Sequence, residues 1–522
     1  MRSWLEGGRR PRGAHLALAA VLLIALGLRL WGLGFGLPNL YHPDEDALVM
    51  PAIQMIKTGD LLPSRLEYGS LHIYSLAAVS AVVFVLLARA GLVVEPAELP
   101  LYERGSYPAV YAYPQFFLAA RLVSAVMGVG VVLLTYLLAR RLAGRRVGLL
   151  AAGMAAVLPL LVIHSHYATP DMPLTFLVLL TLYLLLRAHD RWHMSSPWAY
   201  AGAGFVCGLA ASTKYNGVVL AAPLLLVPIF KARSLDDWLS GRTLAGPLAM
   251  AAGFLAGTPA AVLDLPRFLY WLGYSLHLYA APGYEPVGTS LGWHLDYLLT
   301  SPSAPLVVLG LAGLALSVWR WGRRGWLLTS FALLLWLAIF GQTRREARMW
   351  LPTMALFCLW AGLALQRLFA WGRQRYPDAR LRPAAAASLA LLALWLLTAS
   401  LLVDLRLAAA DVRTQAAAWI AANLPVGTPI GIDYFAPNLD PARYPATRAF
   451  PAYRKEPAWF QERGLRYVLL SQAGNDLTKL SPADRAGWQR LTAGACLTHS
   501  FAGPFLATAS IQMWLYELPP CR

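Results

Sequence analysis

The sequence predicts a polytopic α-helical membrane protein that ends in a small α/β domain, and three observations support this. First, its 522 residues are 58% hydrophobic and only 14% charged, where a soluble domain carries roughly 25% charged residues. Second, the mean hydropathy is +0.51, with the apolar residues gathered in runs close to the roughly 20 that cross a bilayer as a helix. Third, the cations behind the net charge of +17 fall in short loops between those runs, as the positive-inside bias expects. They read as topology signals, and nucleic acid is not an expected partner.

Charge sets the expected path of the chain. Arg2, Arg9, Arg10 and Arg12 precede the first apolar run at 14–33, which places the N-terminus in the cytoplasm. That run has spanning length and no small-residue cleavage site, so it reads as a retained span. The run at 116–138 ends in Arg140, Arg141, Arg145 and Arg146, a second cytoplasmic signal. The apolar run at 71–92 therefore cannot cross as well, and it is expected to lie at the outer face within one large external loop, 35–114. Further spans are expected at 147–163, 172–186, 198–212, 218–230, 244–263, 305–319, 326–340, 349–365 and 384–403. The total is about eleven, in a cell membrane, with the C-terminus outside.

Residues 404–522 read as a separate extracytoplasmic α/β module following the membrane domain at 1–403. Helical spacing covers 411–423, and short strands are expected at 429–434, 466–471 and 510–516. Cys207 and Cys358 fall within spans and read as packing residues. Cys496 and Cys521 lie in the tail, where an oxidising compartment would let them pair.

The external side collects the residues able to do chemistry. Asp44, Glu45 and Asp46 follow directly on the first span, where charge is expensive to hold and usually marks a site. One carboxylate suffices to cap the helix running to about Lys57; three exceed that need. Asp171 follows a proline at the start of a later span and could act as a cap there. Lys214, Arg344, Arg345 and Arg348 stand on the side that the positive-inside bias leaves poor in cations, and Arg121 sits just inside the span at 116. Each has a plain alternative in snorkelling, head-group contact or pairing. Together, acids and cations on one face suit transfer of a group from an anionic leaving group to a hydroxyl, with a carboxylate taking the proton. No GxxxxGK[ST] loop supplies an ATP-driven engine, and HEXXH and CxxC patterns are absent. His164 and His166 flank Ser165 without forming a triad. No cofactor is required; a divalent metal on Asp44 and Asp171 is chemically possible.

The order of these motifs resembles the GT-C superfamily of membrane glycosyltransferases, in particular its protein O-mannosyltransferase and aminoarabinose transferase branch. An Asp-Glu pair follows the first span, a second Asp follows His164-Ser-His-Tyr-Ala-Thr-Pro170, and Gly208-Leu-Ala-Ala-Ser-Thr-Lys-Tyr-Asn-Gly217 comes later. Arg348-Met-Trp-Leu-Pro352 then opens a late span. The resemblance covers roughly 14–403. It implies a sugar donor on a polyprenyl phosphate, and a hydroxyl acceptor on lipid, protein or glycan at the outer face. By position it implies Asp44 as catalytic base, Glu45 as its partner and Asp171 as the second acid. Lys214 and Arg348 match positive positions near the lipid phosphate, and Arg121 a family arginine at the mouth of its span. Beside these matches, Arg344, Arg345 and Arg121 are candidates for binding the phosphate donor, and His42, Asp46, His166 and Tyr167 for contacts to acceptor or sugar. Where many members carry Lys-Pro-Pro, this chain has Glu67-Tyr-Gly-Ser70, leaving Arg65 or His72 to substitute, and Met349 stands where a Tyr is common. Two other classes are a lipid-linked-sugar transporter, which needs charge at mid-membrane, and a membrane anchor presenting the tail.

Overall fold

The computed structural model describes residues 11–42, 44–99, 112–194, 196–280, 288–375, 381–433, 436–437, 439–440, 442–449, 452–471, 482–502 and 512–519. Among these, eight helices are long and apolar enough to cross a membrane: Gly13–Leu30, Leu71–Arg89, Gln115–Ala143, Asp171–Asp190, Ala304–Trp321, Arg323–Phe340, Ala347–Arg375 and Ala386–Asn423. Seven coincide with expected spans, so the count of about eleven is not reproduced. The run at 147–163 breaks into Arg145–Ala156 and Pro159–His164, because Pro159 cannot donate into a preceding turn. The runs at 198–212 and 244–263 form shorter helices, Trp198–Thr213 and Gly241–Gly257, and 218–230 becomes a 3₁₀ segment, Tyr215–Leu220, leading into Ala221–Lys231.

Small residues let these shorter helices approach closely, which replaces the hydrophobic drive that lipid cannot supply between helices. A Cβ on Gly204 would lie 2.1 Å from the Gly246 carbonyl oxygen, and one on Gly208 only 2.0 Å from that of Met250. The pair Trp198–Thr213 and Gly241–Gly257 is thus packed backbone to backbone, and it carries Lys214 at its end.

The two ends of the bundle differ in charge. At one end Arg141 and Arg324 both pair with Asp190, at 2.8 and 2.7 Å, while Arg323 donates to the Phe230 carbonyl. The basic loops therefore share one end. The opposite end carries the loops at 31–46 and 164–171, Lys214 and residues 343–348.

Leu71–Arg89, expected not to cross, qualifies as a span by length and composition, and its buried residues belong to a core separate from the main one. Its Ile73, Leu76, Val83 and Leu87 share a core with Leu48–Met55 and with Phe116, Phe117 and Ala120. Those three stand at the start of Gln115–Ala143, whose later residues Val131–Ala139 belong to the main core instead.

The tail follows the long helix Leu381–Ala408. Helix Val412–Asn423, capped by Asp411, covers a five-stranded sheet of β1 (Ile430–Ile432), β2 (Ala446–Arg448), β3 (Tyr467–Ser471), β4 (Cys496–Phe501) and β5 (Met513–Glu517). The order is β2-β1-β3-β5-β4, with β1 parallel to both β2 and β3 and β5 antiparallel to β3 and β4. Strands β1, β3 and β5 lie within or beside the expected ranges; β2 and β4 were not anticipated. Cys207 and Cys358 are free and buried. Cys496 is disulfide-bonded, and Cys521 lies outside the described residues.

Gly208→Leu would force the two short helices apart. Overpacking of this kind costs roughly 1–3 kcal/mol or more, so a lowered thermal midpoint in detergent is expected.

Candidate active site

The loop after the first helix is fixed before its acidic residues come into play. Glu45 is fully buried and meets Arg121, also fully buried, through two hydrogen bonds of 2.8 Å. Arg121 spends its remaining Nη1 on the carbonyls of Leu33 and Phe35, at 3.0 and 2.8 Å, and lies 4.2 Å from the centre of the Phe35 ring. Glu45 Oε1 also accepts the amide of Ala168 at 2.9 Å. A single carboxylate thereby binds the 31–46 loop to Gln115–Ala143 and to the 164–171 loop. A bidentate guanidinium–carboxylate pair has the directionality for that task.

With Glu45 turned inward, Asp44 faces the other way. Its carboxylate contacts Arg348 Nη1, and its amide donates to His42 Nδ1 at 3.3 Å. Arg348 Nη1 also stands 3.8 Å from Asp171 Oδ2, and Asp171 Oδ1 accepts from Lys214 Nζ at 2.8 Å. Carboxylates and cations therefore alternate: Asp44, Arg348, Asp171, Lys214. The capping readings of both acids fail on this geometry. The helix Asp46–Thr58 has Glu45 at its N-cap, and Asp171–Asp190 has Pro170 there, with no side-chain cap in either. Lys214 is buried and held by Asp171, so it does not snorkel. Arg348 is steadied from behind by Glu346, whose other oxygen takes Arg344 Nε at 2.8 Å.

Electrostatics follow this arrangement. Burial alone would push the carboxyl groups of Asp44 and Glu346 up, but Arg348 beside both outweighs it and holds them below the usual carboxylate range. Burial works against the Lys214 charge, and Asp171 reverses that effect, keeping the amine protonated. Asp46 differs: burial raises it to about 6, with Arg65 only partly opposing. Asp171 Oδ2 is buried and has no hydrogen-bond partner among the described residues, so it remains an open acceptor beside Arg348.

Asp44, Asp171, Lys214, Arg348 and Arg344 are thus brought together. His42 and Tyr167 stand at the edge of the group, with ring centres 4.3 Å apart, and His164 lies 5.6 Å from Tyr167. Other expected residues lie elsewhere or are engaged. Arg121, expected at the lipid phosphate, is committed to Glu45 and two carbonyls. Arg345 turns to the Gly288 carbonyl. His166 points away, between the carbonyls of Val162 and Trp31 at 2.9 and 3.0 Å and 3.8 Å from Asp404. Arg65 contacts Glu67, and His72 is buried with Nδ1 near Ser75 Oγ, 3.3 Å away.

Two neighbours of the group escaped the sequence reading. Tyr68, in the Glu67–Ser70 segment, has its ring centre 5.5 Å from Lys214 Nζ, and burial keeps its hydroxyl protonated. It is brought there by Gly69, where a Cβ would collide with the Ser212 backbone at 1.9 Å. Glu346, an acid among arginines, carried no motif of its own.

Among the described residues no group of three or more His, Cys, Asp or Glu side chains converges as a metal site. The cation between Asp44 and Asp171 is the guanidinium of Arg348.

The fold is similar to that of solved structures that include an oligosaccharyltransferase and ArnT. Residues 116–271 match the family model described as Dolichyl-phosphate-mannose-protein mannosyltransferase, a stretch that includes Asp171 and Lys214. Among solved structures, the chain is similar to ArnT from Cupriavidus metallidurans bound to undecaprenyl phosphate, with a TM-score of 0.53, 16% identity, and coverage of 97% of this chain and 98% of that one. It is also similar to the Archaeoglobus fulgidus oligosaccharyltransferase in the apo form, with a TM-score of 0.53, 16% identity, and coverage of 88% and 70%. A complex of the archaeal enzyme with an inhibitory peptide and a dolichol-phosphate gives 0.52 at 15% identity, covering 87% and 69%. At these identities the likeness is one of fold. No curated protein matches the chain in sequence.

Two measurements bear on this geometry. Glu45→Gln leaves the Arg121 charge buried without its counter-ion, a loss of about 3–5 kcal/mol, so the thermal midpoint should fall sharply. Asp46 binds its proton more tightly folded than unfolded, so its contribution to stability is full below about pH 4 and is lost as pH rises through about 6. Asp46→Asn should remove that slope, up to roughly 2 kcal/mol after allowing for partial exposure.

Proposed function

We propose that the protein is an integral-membrane, inverting glycosyltransferase that moves a hexose or related sugar from a polyprenyl phosphate to a hydroxyl acceptor on the outer face. One observation carries this reading: two carboxylates and two cations from four separate segments alternate at one end of the bundle. The undecaprenyl phosphate bound by a protein of this fold and the mannosyltransferase family match support it. The N-terminus would then be cytoplasmic and the tail outside.

The chemistry follows from the charges. The acceptor oxygen attacks the anomeric carbon and gives its proton to Asp44 while the bond from that carbon to the phosphate oxygen breaks on the opposite face. The departing polyprenyl phosphate gains negative charge, which Arg348 and Lys214 stabilise, with Arg344 held in reserve by Glu346. In the free protein Arg348 depresses the basicity of Asp44. A phosphate drawing on Arg348 weakens that hold, so donor binding strengthens the base when it is needed. Asp171 keeps Lys214 in place and offers Oδ2 to a sugar or acceptor hydroxyl. No step here uses a metal.

The transporter alternative needs charge at mid-membrane, whereas these charges stand at the bundle end. The test is transfer of radiolabelled sugar from membrane polyprenyl-phosphate donors by wild type and by Asp44→Asn. The variant should lose about 10²–10⁴-fold in turnover and still bind polyprenyl phosphate. Full activity in Asp44→Asn would remove the base from this scheme, and free mutability of the whole cluster would favour an anchor.

A further inference from the structure

The C-terminal domain grips the loop that carries Asp44. Arg413, in the first turn of Val412–Asn423, is 8% exposed. Its Nε and Nη2 are fixed on the two oxygens of Asp411, both at 2.8 Å, and Asp411 in turn caps that helix through the Arg413 amide, also at 2.8 Å. This leaves Nη1 to donate to the Tyr41 carbonyl at 3.1 Å, with the guanidinium 3.9 Å from the Tyr41 ring centre. The Tyr41 hydroxyl reaches Thr414 Oγ1 at 2.7 Å. A second hold lies upstream, where a Cβ on Gly32 would come within 2.9 Å of the Leu407 Cβ. Tyr41 precedes His42, whose Nδ1 accepts the amide of Asp44.

We propose that Arg413 is a positioning residue for Asp44, so that the tail belongs to the reaction machinery. The proposal rests on the reading of Asp44 as the base. The 31–46 loop is anchored on its inner side by Glu45 and Arg121; Arg413 supplies the outer anchor, and Asp44 lies between the two. A base must be held within a fraction of an ångström of its working position, and small displacements far from the chemistry cost large factors in rate. The planar fork of arginine suits a three-way contact of this kind, and a lysine cannot reproduce it.

The experiment uses the full chain in detergent and compares wild type with Arg413→Ala, Arg413→Lys and Thr414→Val by two readouts. One is hydrogen exchange of peptides spanning 36–48, with peptides of β1 and β3 reporting whether the tail stays folded. The other is sugar-transfer kinetics. Loss of a hydrogen bond from a charged group corresponds to roughly tenfold or more. Both Arg413 variants should therefore speed exchange at 36–48 and lower kcat by about that factor, while donor KM moves by less than about threefold. Thr414→Val should shift both readouts in the same direction and by less. Unchanged exchange at 36–48 together with unchanged kcat in Arg413→Ala, with the sheet intact, overturns the proposal. If the sheet unfolds in that variant, Thr414→Val decides by the same two readouts. A wild type that transfers no sugar counts against the proposed function, and loop exchange then judges the clamp by itself.

Discussion

The buried ion pair between Glu45 and Arg121 is the constraint on which the candidate site depends. Charges removed from water are costly, and their mutual attraction seldom yields a large net gain. Such a pair therefore does more for geometry than for stability. Here it gathers three segments distant in sequence: the loop leaving the first helix, the mouth of Gln115–Ala143, and the stretch before Asp171. With both guanidinium edges and both carboxylate oxygens committed, the backbone at Glu45 has one orientation. The neighbouring carboxylate of Asp44 is then obliged to face Arg348.

The charges beyond that pair form a balanced string, and balance is what allows them to stay buried. Asp171 serves two cations at once, Lys214 through one oxygen and Arg348 near the other, while Glu346 serves two arginines. An incoming donor phosphodiester, with its single negative charge, can draw on Arg348 while Asp171 keeps Lys214 and Glu346 keeps Arg344, so that of the three acids only Asp44 is released.

Much of the architecture was legible in the sequence because bilayer crossing writes itself in length, hydropathy and the placement of arginines. The acidic loop stood out because three carboxylates beside an apolar run exceed any capping need. Opposite roles for Asp44 and Glu45 were not legible: adjacent residues on a turn diverge, and only the position of Arg121, 76 residues away, decides which turns inward. Arg121 itself resembled a phosphate ligand for the same reason. His166 was assigned to the site by its motif, although its neighbour Asp404 lies on the last long helix. Tyr68 bears no charge to betray it. In the tail, β2 and β4 were missed because they are edge strands with mostly exposed side chains, so they lack the alternation that marks a half-buried strand.

The close seating of Leu407 on Gly32, together with the hold of Arg413 and Thr414 on Tyr41, has a bearing on how such a protein can change. A tail that touches the membrane part only through a tether could be traded between relatives as an independent cassette. This one is keyed to the opposite end of the chain, so its surface and the 31–42 loop form a single fitted joint. A chimera that exchanges the tail must bring that loop with it, and substitutions on one side of the joint constrain those tolerated on the other. The fitted joint is thus made of two pieces separated by nearly the whole length of the membrane domain.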